Sequence, residues 1–66
     1  MRLRIDLDGR KRNVSLRRQS TVSDLLKKLG TRKETVLVKV NGRFRPDDFV
    51  IEEGATVEIM TVVFGG

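Results

Sequence analysis

The chain has no cysteine, no histidine, no tryptophan and no tyrosine, and it has a single proline. Without cysteine there is no disulfide, no thiol nucleophile and no thiolate metal site. Without histidine the usual general base and the usual imidazole ligand are missing, so catalytic triads and dyads built on either residue cannot be assembled. No apolar run approaches the roughly 20 residues of a membrane-spanning helix. The start, Met1-Arg2-Leu3-Arg4-Ile5-Asp6, alternates instead of forming the hydrophobic block of a signal peptide. A soluble, cytoplasmic protein is expected. Its 66 residues leave room for one small domain.

What is present in excess is positive charge. Fourteen Lys and Arg face nine Asp and Glu, for a net charge of +5. The cations cluster at Arg10-Lys11-Arg12, Arg17-Arg18 and Arg43/Arg45, with Arg2 and Arg4 alternating near the start. Such a balance suits nucleic acid, an acidic protein partner, or simply a solvated surface.

Periodicity divides the chain. Over residues 1–8, Leu3, Ile5 and Leu7 alternate with Arg2, Arg4, Asp6 and Asp8, the period of a half-buried strand. Asp8-Gly9 signals a hairpin, and Val14 and Leu16 continue the alternation in a second, antiparallel strand. Val22, Leu25, Leu26 and Leu29 then follow helical spacing. Thr21 as N-cap puts Asp24 at the capping-box position, Lys27 and Lys28 suit the dipole of the last turn, and Gly30 suits the C-cap. Residues 31–34 read as a polar loop. Val36, Val38 and Val40 mark a third strand over 35–40, and Asn41-Gly42 a second hairpin into a short strand at 43–45. Pro46 ends that strand or confines it to an edge. The connection 47–54 carries Phe49, Val50 and Ile51, expected to plug the end of the core. A fifth strand over 56–63 alternates Val57, Ile59 and Thr61 against Glu58, Met60 and Val62. The order β-β-α-β-β-β predicts an α+β domain with one helix across one face of a mixed sheet.

The last strand leads into Phe64-Gly65-Gly66. Two glycines allow close backbone approach in a narrow channel, and Gly66 sets no side chain beside its own carbonyl. A domain over 1–63 with a flexible diglycine tail over 64–66 is expected. Asp47-Asp48 and Glu52-Glu53 read as turn and loop residues, since adjacent carboxylates do not converge on one site. No Gly-x-x-x-x-Gly-Lys phosphate loop is present.

Val38-Lys39-Val40-Asn41-Gly42, Glu53-Gly54-Ala55-Thr56-Val57-Glu58-Ile59 and Gly65-Gly66 together resemble the ubiquitin-like β-grasp family. Within it the chain is similar to the small sulfur carriers of the ThiS and MoaD types and to archaeal small modifiers. Ala55 stands where that pattern usually has Asp, a change expected to touch only the turn. The resemblance implies first and last strands parallel at the sheet centre, with the third strand beside the last. Leu37, Met60 and Val62 would then form an apolar docking patch rimmed by Arg2, Arg4, Lys39 and Glu58. It further implies that an ATP-dependent activating enzyme of the ubiquitin-activating type adenylates Gly66, with Phe64 and Gly65 in that enzyme's channel. Sulfur delivery would give a C-terminal thiocarboxylate for a synthase or thiolase in thiamine, molybdopterin or tRNA-thiolation pathways. The chain would itself be a carrier, not an enzyme, monomeric alone and binding no metal or cofactor; ATP and the sulfur donor belong to the partner.

Two other uses stay open at this point. A ubiquitin-like modifier would share the activation step and end in an isopeptide between Gly66 and target lysines. A basic nucleic-acid module would rest on the charge alone; with only Phe44, Phe49 and Phe64 as aromatics it lacks a readable stacking platform, so nucleic acid is not expected as a direct ligand.

Overall fold

The structure, a computed structural model, describes residues 1–62. The expected tail at 64–66 and the last residue of the expected domain and fifth strand, Val63, lie outside the described residues. Strands β1 (Arg2–Leu7) and β2 (Arg10–Ser15) precede helix α1 (Val22–Leu29). Strands β3 (Val36–Val40), β4 (Arg43–Phe44) and β5 (Thr56–Thr61) follow. The sheet order is β2-β1-β5-β3-β4, with β1 and β5 parallel and the other pairs antiparallel. This is the mixed five-stranded arrangement expected, with the last strand at its centre.

Alternation decides the core. Leu3, Ile5, Val14, Val36, Val38, Val40, Val57 and Ile59 turn to one face and are buried there with Val22, Leu25 and Leu26 of the helix. Each such side chain removed from water contributes about 1.5–3 kcal/mol. Leu7, Leu16 and Leu29 pack at the rim of this core.

The helix start is fully accounted for. Its first four N–H groups have no partner within the helix. Val22 and Ser23 donate to the carbonyls of Phe49 and Asp47 at 2.9 and 2.8 Å, Asp24 to the Thr21 hydroxyl and Leu25 to the Thr21 carbonyl. Asp24 accepts in return from the Thr21 N–H at 2.9 Å, completing the capping box. At the other end Gly30 takes the left-handed cap, φ 71°. The connection after Pro46 therefore serves as a backbone partner for the helix start.

That connection corrects one expectation. Of its three consecutive apolar residues, Ile51 is buried and Phe49 packs against the core, but Val50 is 46% exposed. Ile51 donates to the Ser20 carbonyl and Val50 bridges to Thr21, so the segment runs locally extended and alternates sides. Ala55 is itself a core residue, 7% exposed; its place is more than a turn position. The segment read as a loop contains a short 3-10 turn, Lys33–Thr35, which shortens β3 to begin at Val36. Strand β2 begins at Arg10, taking in the basic residues before Val14 and ending at Ser15.

Candidate functional site

Strand β5 is the element that leads towards Gly65-Gly66, and both of its ends are tied to hairpin turns. At its start Asn41 donates its N–H to the Thr56 carbonyl at 2.8 Å and accepts the Thr56 N–H on Oδ1 at 3.0 Å. At its end Asp8 accepts the Thr61 N–H on Oδ1 at 2.8 Å and the Thr61 hydroxyl on Oδ2. The Asp8 N–H also donates to the Ile59 carbonyl. On the other side of β5 the Val62 N–H donates to the Thr35 carbonyl at 2.8 Å. The strand is thus fastened on both sides at the last described residues. The Thr61 hydroxyl, and then the Thr61 N–H, hold the Asp8 carboxyl below the ordinary carboxylate range.

The three residues expected to form a docking patch are brought together. Leu37 pairs directly with Met60 across β3 and β5, and Val62 follows two residues on, on the same face. Leu37 is 49% exposed, while Met60 and Val62 are half-buried. Lys39 pairs with Glu58 next to the Leu37–Met60 pair, but the expected rim is only partly formed: Arg4 lies opposite Thr56 and Arg2 beyond it, at the far end of β5 from Met60 and Val62.

One residue of this face was missed. Phe44 pairs with Lys39 across the β3–β4 hairpin, is 58% exposed, and lies under the Lys39 ammonium at 4.8 Å. The ring extends the apolar surface diagonally from Leu37. The Asn41-Gly42 turn contained the signal: a two-residue loop fixes Val40 opposite Arg43, and hence Lys39 opposite Phe44. Asp8 was read as a turn residue only, so its hold on Thr61 was missed as well.

Of the acidic pairs Asp47-Asp48 and Glu52-Glu53, Asp47 has a structural partner. Asp47 accepts from the Lys33 ammonium at 3.1 Å, which lowers the Asp47 carboxyl pKa and raises that of Lys33. Among the described residues no group of three or more His, Cys, Asp or Glu converges as a metal site would require, and no helix is long and apolar enough to cross a membrane.

One helix on a mixed sheet whose first and last strands run parallel at its centre defines a β-grasp protein of the ubiquitin-like class. The ThiS family model matches residues 4–66, a span that includes both final glycines, and the chain belongs to the ThiS family. It is similar to the thiamine biosynthesis protein ThiS from Geobacter metallireducens, whose crystal structure superposes with a TM-score of 0.66 at 25% identity. The match covers 97% of this chain and 100% of that one. The sulfur-carrier family that the sequence motifs resemble is therefore the one to which the chain belongs.

Proposed function

We propose that the chain is a sulfur carrier for thiamine biosynthesis, charged at the carboxylate of Gly66. The observation that carries this reading is the ThiS family match running through Gly65 and Gly66, in front of which β5 is fastened. A carboxylate is a poor electrophile. A partner enzyme joins it to the α-phosphate of ATP and releases pyrophosphate, giving an acyl adenylate. A sulfur nucleophile then attacks the carbonyl carbon and AMP leaves; the product is a thiocarboxylate whose sulfur passes to an accepting synthase. Gly65 and Phe64 occupy the partner's channel. Leu37, Met60 and Val62, extended by Phe44, dock the body while Asp8 and Thr35 fix where the tail leaves it.

Intact mass spectrometry tests the reading. Incubation with a thiamine-pathway activating enzyme, ATP and a sulfur donor is expected to exchange one oxygen for sulfur, confined to Gly66. Gly66→Val, which crowds the reacting carbonyl, is expected to abolish the exchange while leaving the fold intact by circular dichroism. An unchanged mass with a competent enzyme would sink the proposal, and isopeptide remnants of Gly66 on cellular lysines in its place would favour a protein modifier.

A further inference from the structure

The sheet has two edges, and they are not equivalent. Strand β4 has two residues and is followed closely by Pro46. Strand β2 has six and is open along its outer side. Met1 and Leu16 exchange both of their backbone hydrogen bonds, at 2.6 and 2.8 Å. In an antiparallel ladder such pairs alternate with pairs whose N–H and C=O groups point away from each other. The register Leu3–Val14, Ile5–Arg12 and Leu7–Arg10 continues the bonded series. The backbone groups of Lys11, Asn13 and Ser15 therefore face outward, a ready template for another strand.

This edge is basic. Arg10, Lys11 and Arg12 are exposed on β2, and Arg17 and Arg18 are exposed in the turn that follows. Lys27 and Lys28 of α1 line, with Arg17 and Leu16, a hollow of about 610 Å³ between β2 and the helix. The ion pairs found among the described residues, Arg32–Glu34 and Lys33–Asp47, engage none of these cations. Asp24, the acid of the hollow, is bonded to the Thr21 N–H and keeps its negative charge near Lys27. Arg18 also borders a second hollow that holds Glu52 and Glu53, so the excess positive charge of the first lies towards Arg17 and Lys28.

The geometry points to an extended acidic peptide segment of a partner protein as the occupant, added to β2 as a sixth strand. Its main chain would pair with Lys11, Asn13 and Ser15, and its acidic side chains would meet Arg10, Arg12 and the α1 lysines. The alternate side chains would lie on the opposite face of the sheet, beside Lys11, Asn13 and Ser15. A second copy of this chain fits less well, because edge-to-edge pairing would bring together two strands that each carry Arg10, Lys11 and Arg12 and are each followed by Arg17 and Arg18. An RNA backbone would meet the charges but leave the outward N–H and C=O groups to water, and neither described phenylalanine, Phe44 or Phe49, lies on this edge. Since β1 separates β2 from β5, the site is independent of the sulfur-carrier reading and leaves the β5 face free.

Nuclear magnetic resonance on the full chain decides it, with a short peptide of alternating valine and glutamate as probe. The amides of Lys11, Asn13 and Ser15 are expected to shift and to gain protection from exchange. The double variant Lys27→Glu, Lys28→Glu is expected to weaken binding about tenfold or more, and a lysine–valine peptide is expected not to bind. Asn13→Pro removes an outward donor without touching the ladder to β1. Should that variant misfold, an N-methylated peptide makes the same test from the ligand side and is expected to lose binding. Undiminished binding of the N-methylated peptide would overturn strand addition, as would shifts confined to the β3–β5 face. Tighter binding of duplex RNA without amide protection would reassign the edge to nucleic acid, and concentration-dependent protection of the free protein would reassign it to a second copy.

Discussion

The Asp8-Gly9 and Asn41-Gly42 turns have nearly the same backbone, with φ of 51° and 87° in one and 53° and 80° in the other. Both close two-residue hairpins. Both also use the first turn residue to hold β5, Asn41 at Thr56 and Asp8 at Thr61. They differ in chemistry and in place. Asn41 is neutral and sits where β5 begins; Asp8 is charged and sits where β5 gives way to the segment leading to Gly66. Equal turns thus do unequal work, and the difference lies in the side chain rather than in the loop geometry.

The glycines should show how alike the turns are. An added Cβ at Gly9 or Gly42 meets no atom within 4 Å, so a substitution there acts through backbone strain alone. Gly9→Val and Gly42→Val are each expected to destabilise the fold by about 2 kcal/mol, a large share of the roughly 3–10 kcal/mol available to a chain this size. Urea denaturation of both variants measures this. A gap of about 1 kcal/mol or more between the two would show that the turns are not equivalent loops.

The side chains should show how the turns differ. Asn41→Gly keeps the left-handed backbone and removes the bond to Thr56, at an expected cost of about 1 kcal/mol. Hydrogen exchange is expected to quicken at Thr56 and to stay unchanged at Thr61. Asp8→Gly should give the mirror result, with Thr61 exposed and Thr56 still protected. Loss of protection at both ends in either variant would mean that β5 is held as one unit, not by separate fastenings.

Much of this architecture was legible in the chain. The rows Leu3/Ile5, Val36/Val38/Val40 and Val57/Ile59 announce their buried face by period, and Thr21, Asp24 and Gly30 announce the helix ends by chemistry. The Leu37–Met60 pairing followed from the family resemblance, which supplies the strand order that alternation alone does not. The Asp8–Thr61 contact was not legible, since it joins residues 53 positions apart and both have ordinary local roles. Residues 10–13 gave no strand signal because none is apolar; the hairpin register, not a hydrophobic period, makes them a strand. Phe49, Val50 and Ile51, all apolar, carried no period from which to tell the buried residue from the exposed one.

Acid should separate the two fastenings most finely. The folded protein holds the Asp8 carboxyl below its ordinary value of 3.8, through the Thr61 hydroxyl and N–H. A carboxyl depressed by folding contributes stability above its unfolded pKa, and that contribution is lost as pH falls through the folded value. The window therefore opens near pH 3.8 and extends below it. Asp24 and Asp47 are depressed in the same direction, by Thr21 and Lys33, so global stability will fall with acid for three reasons. Thr61 amide exchange isolates the Asp8 share: it should quicken on acidification beyond the intrinsic pH dependence of exchange, while Thr56, held by the untitratable Asn41, should not. Asp8→Asn keeps an acceptor and a residue tolerant of positive φ but has no proton to gain. Its Thr61 amide is expected to follow the intrinsic profile alone. If the variant keeps the wild-type acid response at Thr61, the loosening comes from Asp24, Asp47 or the fold as a whole, and the charged turn has no separate hold on the strand's end.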